Sequence, residues 1–222
     1  MKPVKKLVPV SPAWLAGLKK LSPPIILWDG PIYRIQWATP RGHVVHGTAV
    51  GSSSEHRYCP LRFDGASFGT PAAACVPESH LTVRKIDPVS GDMIPIVDAL
   101  KIDESVLLTY KLQRPLRLYD ISQLVADKLV PPEITHGTPA DYRENSHVLA
   151  RYLHPLYVAT GQVDGFSSQC VKATGGRNIT VFAPTIDAGL LKIVNRVRLH
   201  DSKEITAAIE VFLTTGLLPP LR

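Results

Sequence analysis

The sequence predicts an α+β fold in which a mixed, mostly antiparallel sheet is packed against helices. Strand-like and helix-like segments follow one another without the regular βαβ rhythm of a doubly wound sheet. Twenty prolines in 222 residues favour many short elements over a few long helices. The clearest pattern lies between residues 112 and 184, where a strand, a helix, a turn and a second strand come in order.

The first thirty residues are predicted to form a basic leader, and residues 31–222 a single domain. The first twenty residues carry five positive charges and no acid, whereas the remaining 202 hold 20 basic and 19 acidic side chains. We expect the leader to be peripheral up to about residue 22, because unpaired lysines are not buried. The leader charges belong to Lys2, Lys5, Lys6, Lys19 and Lys20.

Within the domain, alternating apolar residues predict strands and apolar residues at helical spacing predict helices. Thr138 followed by Pro139 is a typical helix start, and Asp201 with Ser202 is predicted to cap the last helix. The expected strands cover residues 32–37, 44–50, 72–76, 94–97, 105–112, 116–121, 178–182 and 190–199. The expected helices cover residues 11–18, 77–83, 122–130, 139–154 and 201–212.

Composition restricts the classes of function. The nearly neutral domain is not typical of a nucleic-acid-binding protein, so only the basic leader is a candidate contact for nucleic acid. Three separated cysteines without a CxxC spacing are typical of a reducing compartment, and we expect a cytoplasmic protein. The sequence contains no run of about 20 apolar residues, so no membrane-spanning helix is predicted. His43 and His46 lack a third nearby ligand, so no metal site is expected.

Four motifs in the second half of the chain resemble the RES domain family. They are RPLRLYDIS at residues 114–122, DYRENSHVLARYLH at 141–154, DGFSS at 164–168, and a strand that ends at Phe182. The resemblance covers residues 31–182 and is most specific in its second half. It implies a fold like that of ADP-ribosyltransferases, a split mixed sheet with packed helices. It also implies a bacterial toxin that consumes NAD and pairs with a helix-turn-helix antitoxin, with a homo-oligomer as a further expectation.

The resemblance also implies the site residues. Tyr33 and Arg34 match the family's opening YR pair, and Arg62 matches the arginine of its RF loop, for which Arg57 is the alternative. The family's serine falls on Ser167 or Ser168 when counted from Asp164, and on Cys170 when counted back from Phe182. These arginines and hydroxyls would hold the NAD phosphates and ribose. The same set, with Tyr33, is the predicted NAD-binding group: Tyr33, Arg34, Arg62, Ser167 and Ser168.

The predicted catalytic residues are Arg62, which the resemblance implies, and Glu78, which lies one turn or more before the family's glutamate position. Cleavage of the nicotinamide–ribose bond needs a carboxylate to stabilise the ribosyl cation, as in glycosidases. The family's tyrosine position is occupied by Ala72 and its glutamate position by Val83 or Arg84. Two hypotheses follow. The chain is an NAD glycohydrolase, phosphorylase or ADP-ribosyltransferase, or it is a catalytically degenerate domain that binds a protein or a nucleotide.

Overall fold

The structure of the chain is a computed structural model, and it describes ten segments. They are residues 12–18, 24–38, 65–77, 79, 81–86, 88–91, 93–136, 139–153, 161–170 and 172–215. The strands in these segments are β1 (Ile25–Trp28), β2 (Ile32–Trp37), β3 (Gly65–Thr70), β4 (Thr82–Ile86), β5 (Met93–Val97), β6 (Ser105–Leu112), β7 (Leu116–Asp120), β8 (Gly165–Gln169), β9 (Arg177–Phe182) and β10 (Leu191–Arg198).

The α-helices in the same segments are mostly short, as the proline content predicts. They are α1 (Pro12–Leu18), α2 (Ala99–Asp103), α3 (Ile121–Ala126), α4 (Glu133–His136), α5 (Pro139–Leu153), α6 (Ala183–Asp187) and α7 (Lys203–Thr215). The predicted helix over residues 139–154 is confirmed by α5, and the predicted last helix by α7. The cap of α7 is Ser202, whose hydroxyl accepts a hydrogen bond from the amide of Ile205 at 3.4 Å.

Eight strands form one sheet in the order β1-β7-β8-β9-β3-β2-β6-β10. The pair β7 and β8 is parallel, and the other neighbouring pairs are antiparallel. Strands β4 and β5 form a separate antiparallel pair. The predicted α+β class, with a mixed and mostly antiparallel sheet, is therefore confirmed.

The sheet must be strongly coiled, because β6 and β7 are close in sequence but distant in strand order. Three residues join Leu112 of β6 to Leu116 of β7, although the two strands lie five places apart in the sheet. In a flat sheet that distance would be about 24 Å, at roughly 4.8 Å per strand. Four peptide steps span at most about 14 Å. Only a sheet that coils on itself brings the two strand ends within reach.

The outer face of the coiled sheet carries the helices. One half of this face packs α1, α3, α4 and α5 around Tyr119, Phe166 and Phe182. The other half packs α7 and a 3-10 helix over residues 72–75 against Ile35 and Leu107. The amphipathic pattern of α5 and α7 is thereby explained, since each helix has one apolar side turned to the sheet.

The inner face is lined almost entirely by strand residues. Among the described residues, the apolar cluster on this face combines side chains of β1, β7, β9, β3, β2, β6 and β10, with Ile186 of α6 as the helical member. Its strand residues reach near-complete burial by covering one another, as expected for a concave face. The central members are Ile32, Ala66, Leu108, Leu116, Leu118, Ile179 and Val181.

Three expectations differ from the structure. Residues 72–75 form a buried 3-10 helix instead of a strand, which suits alanines that follow a proline. Thr82 and Val83, expected at the end of a helix over residues 77–83, belong to β4 instead, because these β-branched residues pair with Val97 and Ile96 of β5. Leu18, expected in a peripheral leader, is 3% exposed within the helical layer. Residues 44–50, the predicted second strand, lie outside the described residues.

The carboxylate of Asp164 joins the β6–β7 connection to the start of β8 and to α6. The guanidinium of Arg114 donates two hydrogen bonds to this carboxylate, both at 2.7 Å, and the Arg117 amide donates a third at 2.8 Å. The Thr185 hydroxyl donates another at 3.2 Å. We call this group the Asp164 clasp. It fixes the tight β6–β7 connection on which the coil of the sheet depends.

The Asp164 clasp is expected to make stability depend on pH. Burial by itself raises the pKa of the Asp164 carboxyl, but the hydrogen bonds from Arg114 and Arg117 and the charges of both arginines outweigh it and lower the pKa to about 2. The folded pKa thus lies below the unfolded value of about 4. The stabilisation is therefore complete above about pH 4 and is lost as the pH falls through about 2.

We predict that Asp164→Asn lowers the free energy of unfolding by about 2–3 kcal/mol at pH 7, the value that corresponds to its pKa shift. Urea denaturation of both proteins measures the difference. Between pH 4 and pH 2 the gap should narrow, because the wild-type carboxylate becomes protonated. The exposed Asp103→Asn is the matched control and should leave both quantities nearly unchanged. A constant gap down to pH 2 would contradict the role of the carboxylate charge.

Candidate functional site

Arg34 lies on the inner face of β2, over an aromatic ring. Tyr33 pairs with Gly69, which aligns Arg34 with Phe68 of β3. The guanidinium carbon of Arg34 is 5.9 Å from the centroid of the Phe68 ring. This cation–π contact holds the arginine head among apolar residues, where its charge is less screened than in water.

A row of paired residues connects Arg34 to the other half of the sheet. Phe68 pairs with Ile179, Ile179 with Ser167, and Ser167 with Asp120. Directly paired residues point to the same face of a sheet. Arg34, Ser167 and Asp120 therefore share the inner face, and Arg34 and Ser167 lie three strand spacings apart, about 14 Å along the sheet.

Ser167 is held by a charged network at the end of this row. Its side chain is buried, and Nη1 of Arg177 donates a hydrogen bond to its Oγ at 3.0 Å. The same Nη1 lies 3.6 Å from Oδ2 of Asp120. A guanidinium has no acceptor, so the Ser167 oxygen accepts a hydrogen bond from Arg177 and the Ser167 O–H does not donate to it. The network thus orients a hydroxyl donor on the inner face.

Asp120 connects this network to the helical layer. Its Oδ1 accepts hydrogen bonds from the amides of Ser122 and Gln123, at 3.0 and 3.4 Å, and so caps the N-terminus of α3. One carboxylate therefore positions both the first turn of α3 and the guanidinium of Arg177. Arg177 is therefore positioned through helix α3 and not through a loop.

The structure separates the three alternatives for the serine position. Along β8 the side chains alternate, so Phe166 and Ser168 face the helices while Ser167 faces inward. Cys170 belongs to the apolar cluster beneath α7 on the outer face. The Ser168 Oγ is buried and has no hydrogen-bond partner among the described residues. Of the three, only Ser167 shares the face of Arg34.

Tyr33 lies on the opposite face from Arg34. Its side chain packs beside Ile35 and Leu107 in the outer apolar cluster, and its carbonyl accepts a hydrogen bond from the Cys75 thiol at 3.1 Å. Burial, with the nearby charge of Glu204, raises the pKa of the Tyr33 hydroxyl. Tyr33 and Arg34 are adjacent in sequence, so strand alternation places their side chains on different faces.

Tyr110 adds a second aromatic ring beside Arg34. Its ring meets that of Phe68 edge to face, with centroids 5.1 Å apart. Burial raises the pKa of the Tyr110 hydroxyl to about 12, and the charge of Arg34 acts in the opposite direction. The hydroxyl therefore stays protonated near neutral pH, where it both donates and accepts hydrogen bonds.

Several predicted positions lie outside the described residues. They are Arg62, its alternative Arg57, Glu78, His43 and His46. Within the described part of the chain, no group of three His, Cys, Asp or Glu side chains is arranged to hold a metal ion. No helix in those same segments is long and apolar enough to cross a membrane.

Sequence reasoning missed Arg177, Asp120 and Tyr110 as site residues. Arg177 follows two glycines and is easily assigned to a turn, yet β9 begins at this residue. The alternation Arg177, Ile179, Val181 is the signal that places its side chain on the inner face. Asp120 and Tyr110 carry no comparable signal, because their roles depend on strands that are distant in the sequence.

No protein-family model matches the chain, and no curated protein matches it. Its fold is similar to that of a chain in the crystal structure of the M. tuberculosis MbcT–MbcA toxin–antitoxin complex. The two chains are 18% identical with a TM-score of 0.56, and the match covers 86% of this chain and 92% of the other. This likeness establishes the fold of the chain, over most of its length.

We predict that Asp120→Ala is less stable than Asp120→Asn by about 1 kcal/mol, because asparagine keeps the cap of α3 and alanine removes it. Both variants release the charge contact with Arg177, so their difference isolates the cap. Chemical denaturation of the two variants measures it. Equal stabilities would contradict the capping role of Asp120.

Proposed function

We propose that the chain is a toxin-like protein that binds NAD on the inner face of its sheet and consumes it. The observation that carries this proposal is the row that brings Arg34 and Ser167 to one face of the sheet, with Arg177 and Asp120 fixing the serine. A cationic group and an oriented hydroxyl donor at two ends of an apolar surface suit a ligand with phosphates and riboses.

In this proposal Arg34 and Arg62 hold the pyrophosphate by charge-assisted hydrogen bonds, and Ser167 donates to a ribose or phosphate oxygen. Glu78 stabilises the positive charge that develops on the ribose. The bond between the ribose carbon and the nicotinamide nitrogen breaks, and its electron pair leaves with nicotinamide. Water, phosphate or a protein side chain then bonds to the ribose carbon, giving hydrolysis, phosphorolysis or ADP-ribosyl transfer.

Two further arguments support this function. The motifs at residues 114–122, 141–154 and 164–168 resemble the RES domain family, whose members are mostly NAD-consuming toxins. The fold is similar to a chain of a toxin–antitoxin complex. By this reasoning the chain acts in the cytoplasm, where NAD is available, and an antitoxin, of the helix-turn-helix type, binds it. Self-association into a homo-oligomer is part of the same proposal.

A second candidate function is a domain that binds NAD or a protein without catalysis. Ala72 occupies the position at which the RES resemblance calls for a tyrosine, and it is buried in the 3-10 helix of the outer cluster. The methyl side chain of alanine has no hydroxyl that could form a hydrogen bond with a substrate. This observation favours retained binding with lost turnover.

We predict that Arg34→Ala weakens NAD binding about ten- to a hundredfold, because it removes charge-assisted hydrogen bonds worth roughly 1.5–3 kcal/mol. The same loss is expected for Arg62→Ala. Isothermal titration calorimetry measures both. Arg151→Ala is the matched control, since Arg151 is exposed on α5 over the outer face, and its affinity should equal that of the wild type. No NAD binding by the wild-type protein would refute the proposed function.

We predict that Glu78→Gln abolishes NAD turnover while the dissociation constant for NAD stays within about threefold of the wild type, since the carboxylate acts on the transition state. Release of nicotinamide from the purified proteins is the measurement. Loss of cellular NAD on expression of the wild type, but not of Glu78→Gln, extends the test to the cell. NAD binding without turnover by the wild type would select the non-catalytic domain.

A further inference from the structure

Two side-chain oxygen atoms on the inner face are buried with no hydrogen-bond partner among the described residues. They are Oη of Tyr110 and Oε1 of Gln36. Tyr110 is 1% exposed and Gln36 is 9% exposed, so bulk water does not satisfy either group. Most buried polar groups in folded proteins are paired, and the exceptions need an explanation.

Both groups flank Arg34. Tyr110 pairs with Ile32, Leu108 with Arg34, and Val106 with Gln36, so the three pairs follow one another along β2 and β6. Arg34, Gln36 and Tyr110 all face inward, since each is two residues from an inward neighbour. The contact between the rings of Tyr110 and Phe68 brings the tyrosine across β2, towards the guanidinium that lies over the same Phe68 ring.

The loss of stability caused by an unpaired buried polar group argues against a role in packing. A buried hydroxyl or amide that lacks a partner lowers stability, whereas an apolar group of the same shape does not. Apolar residues occupy the neighbouring inward positions Ile32, Leu108 and Val106, so the fold itself accepts apolar side chains here. A ligand that pairs with these oxygens would explain polar groups at this place.

We propose that Tyr110 and Gln36 form a ligand subsite beside Arg34, which binds an uncharged hydrogen-bond donor of the molecule whose phosphates Arg34 holds. The Gln36 oxygen can only accept, so the ligand group must carry an O–H or N–H. This inference rests on the proposed function. In NAD, three kinds of group have this chemistry: the ribose hydroxyls, the amino group of adenine and the carboxamide of nicotinamide.

The decisive variant is Tyr110→Phe, which removes one oxygen atom and keeps the ring. We expect NAD affinity to fall about five- to tenfold, since one hydrogen bond is lost. We expect the Tm of the ligand-free protein to rise by about 2–4 °C, because an unpaired buried hydroxyl disappears. A rise in Tm together with a loss of affinity is not the signature of a structural hydroxyl, which lowers Tm when it is removed.

Tyr119→Phe is the matched control. Tyr119 is a buried tyrosine on the outer face, within the helical layer, so its change should leave NAD affinity at the wild-type value. Gln36→Met, of nearly the same shape, is the second variant and should repeat the result of Tyr110→Phe. Calorimetry gives the affinities, and thermal unfolding of the ligand-free proteins gives the Tm.

ADP-ribose, which lacks nicotinamide, identifies the group that is bound. If Tyr110→Phe weakens ADP-ribose and NAD equally, the subsite binds a ribose hydroxyl or the adenine amino group; if it weakens NAD alone, it binds the carboxamide. A lower Tm for Tyr110→Phe, or unchanged affinity for both ligands, overturns the inference. If Arg34→Ala still weakens NAD binding in that case, the proposed function stands. Failure of the wild type to bind either ligand overturns both.

Discussion

The fold depends on the Asp164 clasp, because that carboxylate holds the short connection at which the sheet changes direction. Arg114 lies in the three-residue connection between β6 and β7, and Asp164 directly precedes β8. Their bidentate contact ties the two halves of the sheet where a flat arrangement is impossible. The Arg117 amide and the Thr185 hydroxyl, which complete the carboxylate's hydrogen bonds, come from β7 and α6. A charge buried in this way is stable only while its partners are in place.

The coil that the clasp permits divides the sheet into two faces with different roles. The outer face packs helices through two apolar clusters. The inner face combines an apolar floor with a few polar groups at fixed places: Arg34, Gln36, Tyr110, Ser167 and Arg177. Binding sites commonly have this composition, in which apolar surface excludes water and a small number of polar groups orient a ligand. Of these groups, the unpaired oxygens of Gln36 and Tyr110 reduce stability where they stand, which is common at functional sites.

The inner-face residues are supported by rigid elements. Arg177 is positioned by the cap of α3 through Asp120, and Arg34 is positioned by the ring of Phe68, which Tyr110 holds from the side. Such support matters because a catalytic or binding group loses effect when it moves by about 1 Å. The four motifs of residues 114–182 thus contain the strand, cap and clasp residues that build the fold.

The sequence by itself determined the class of the fold and the elements with a strong period. Residues 105–112, 139–153 and 203–215 have apolar patterns that only one secondary structure satisfies, and a local cap or proline sets where helices begin. It failed over residues 72–83, where short runs of alanine and β-branched residues fit either state until β5 supplied a partner for β4. Alternation in β2 and β8 also follows from sequence, since neighbouring residues in a strand face opposite ways.

Only the tertiary structure decided which of those faces is the inner one and which residues meet there. Arg34, Ser167 and Asp120 come from strands that are far apart in the chain. The row that joins them depends on four strand pairs: β2 with β3, β3 with β9, β9 with β8, and β8 with β7. A one-residue shift of β8 against β7 and β9 would turn Ser167 outward and Ser168 inward. The register is set by burial across the whole sheet and by the Asp164 clasp, which are long-range interactions that no local stretch of sequence encodes.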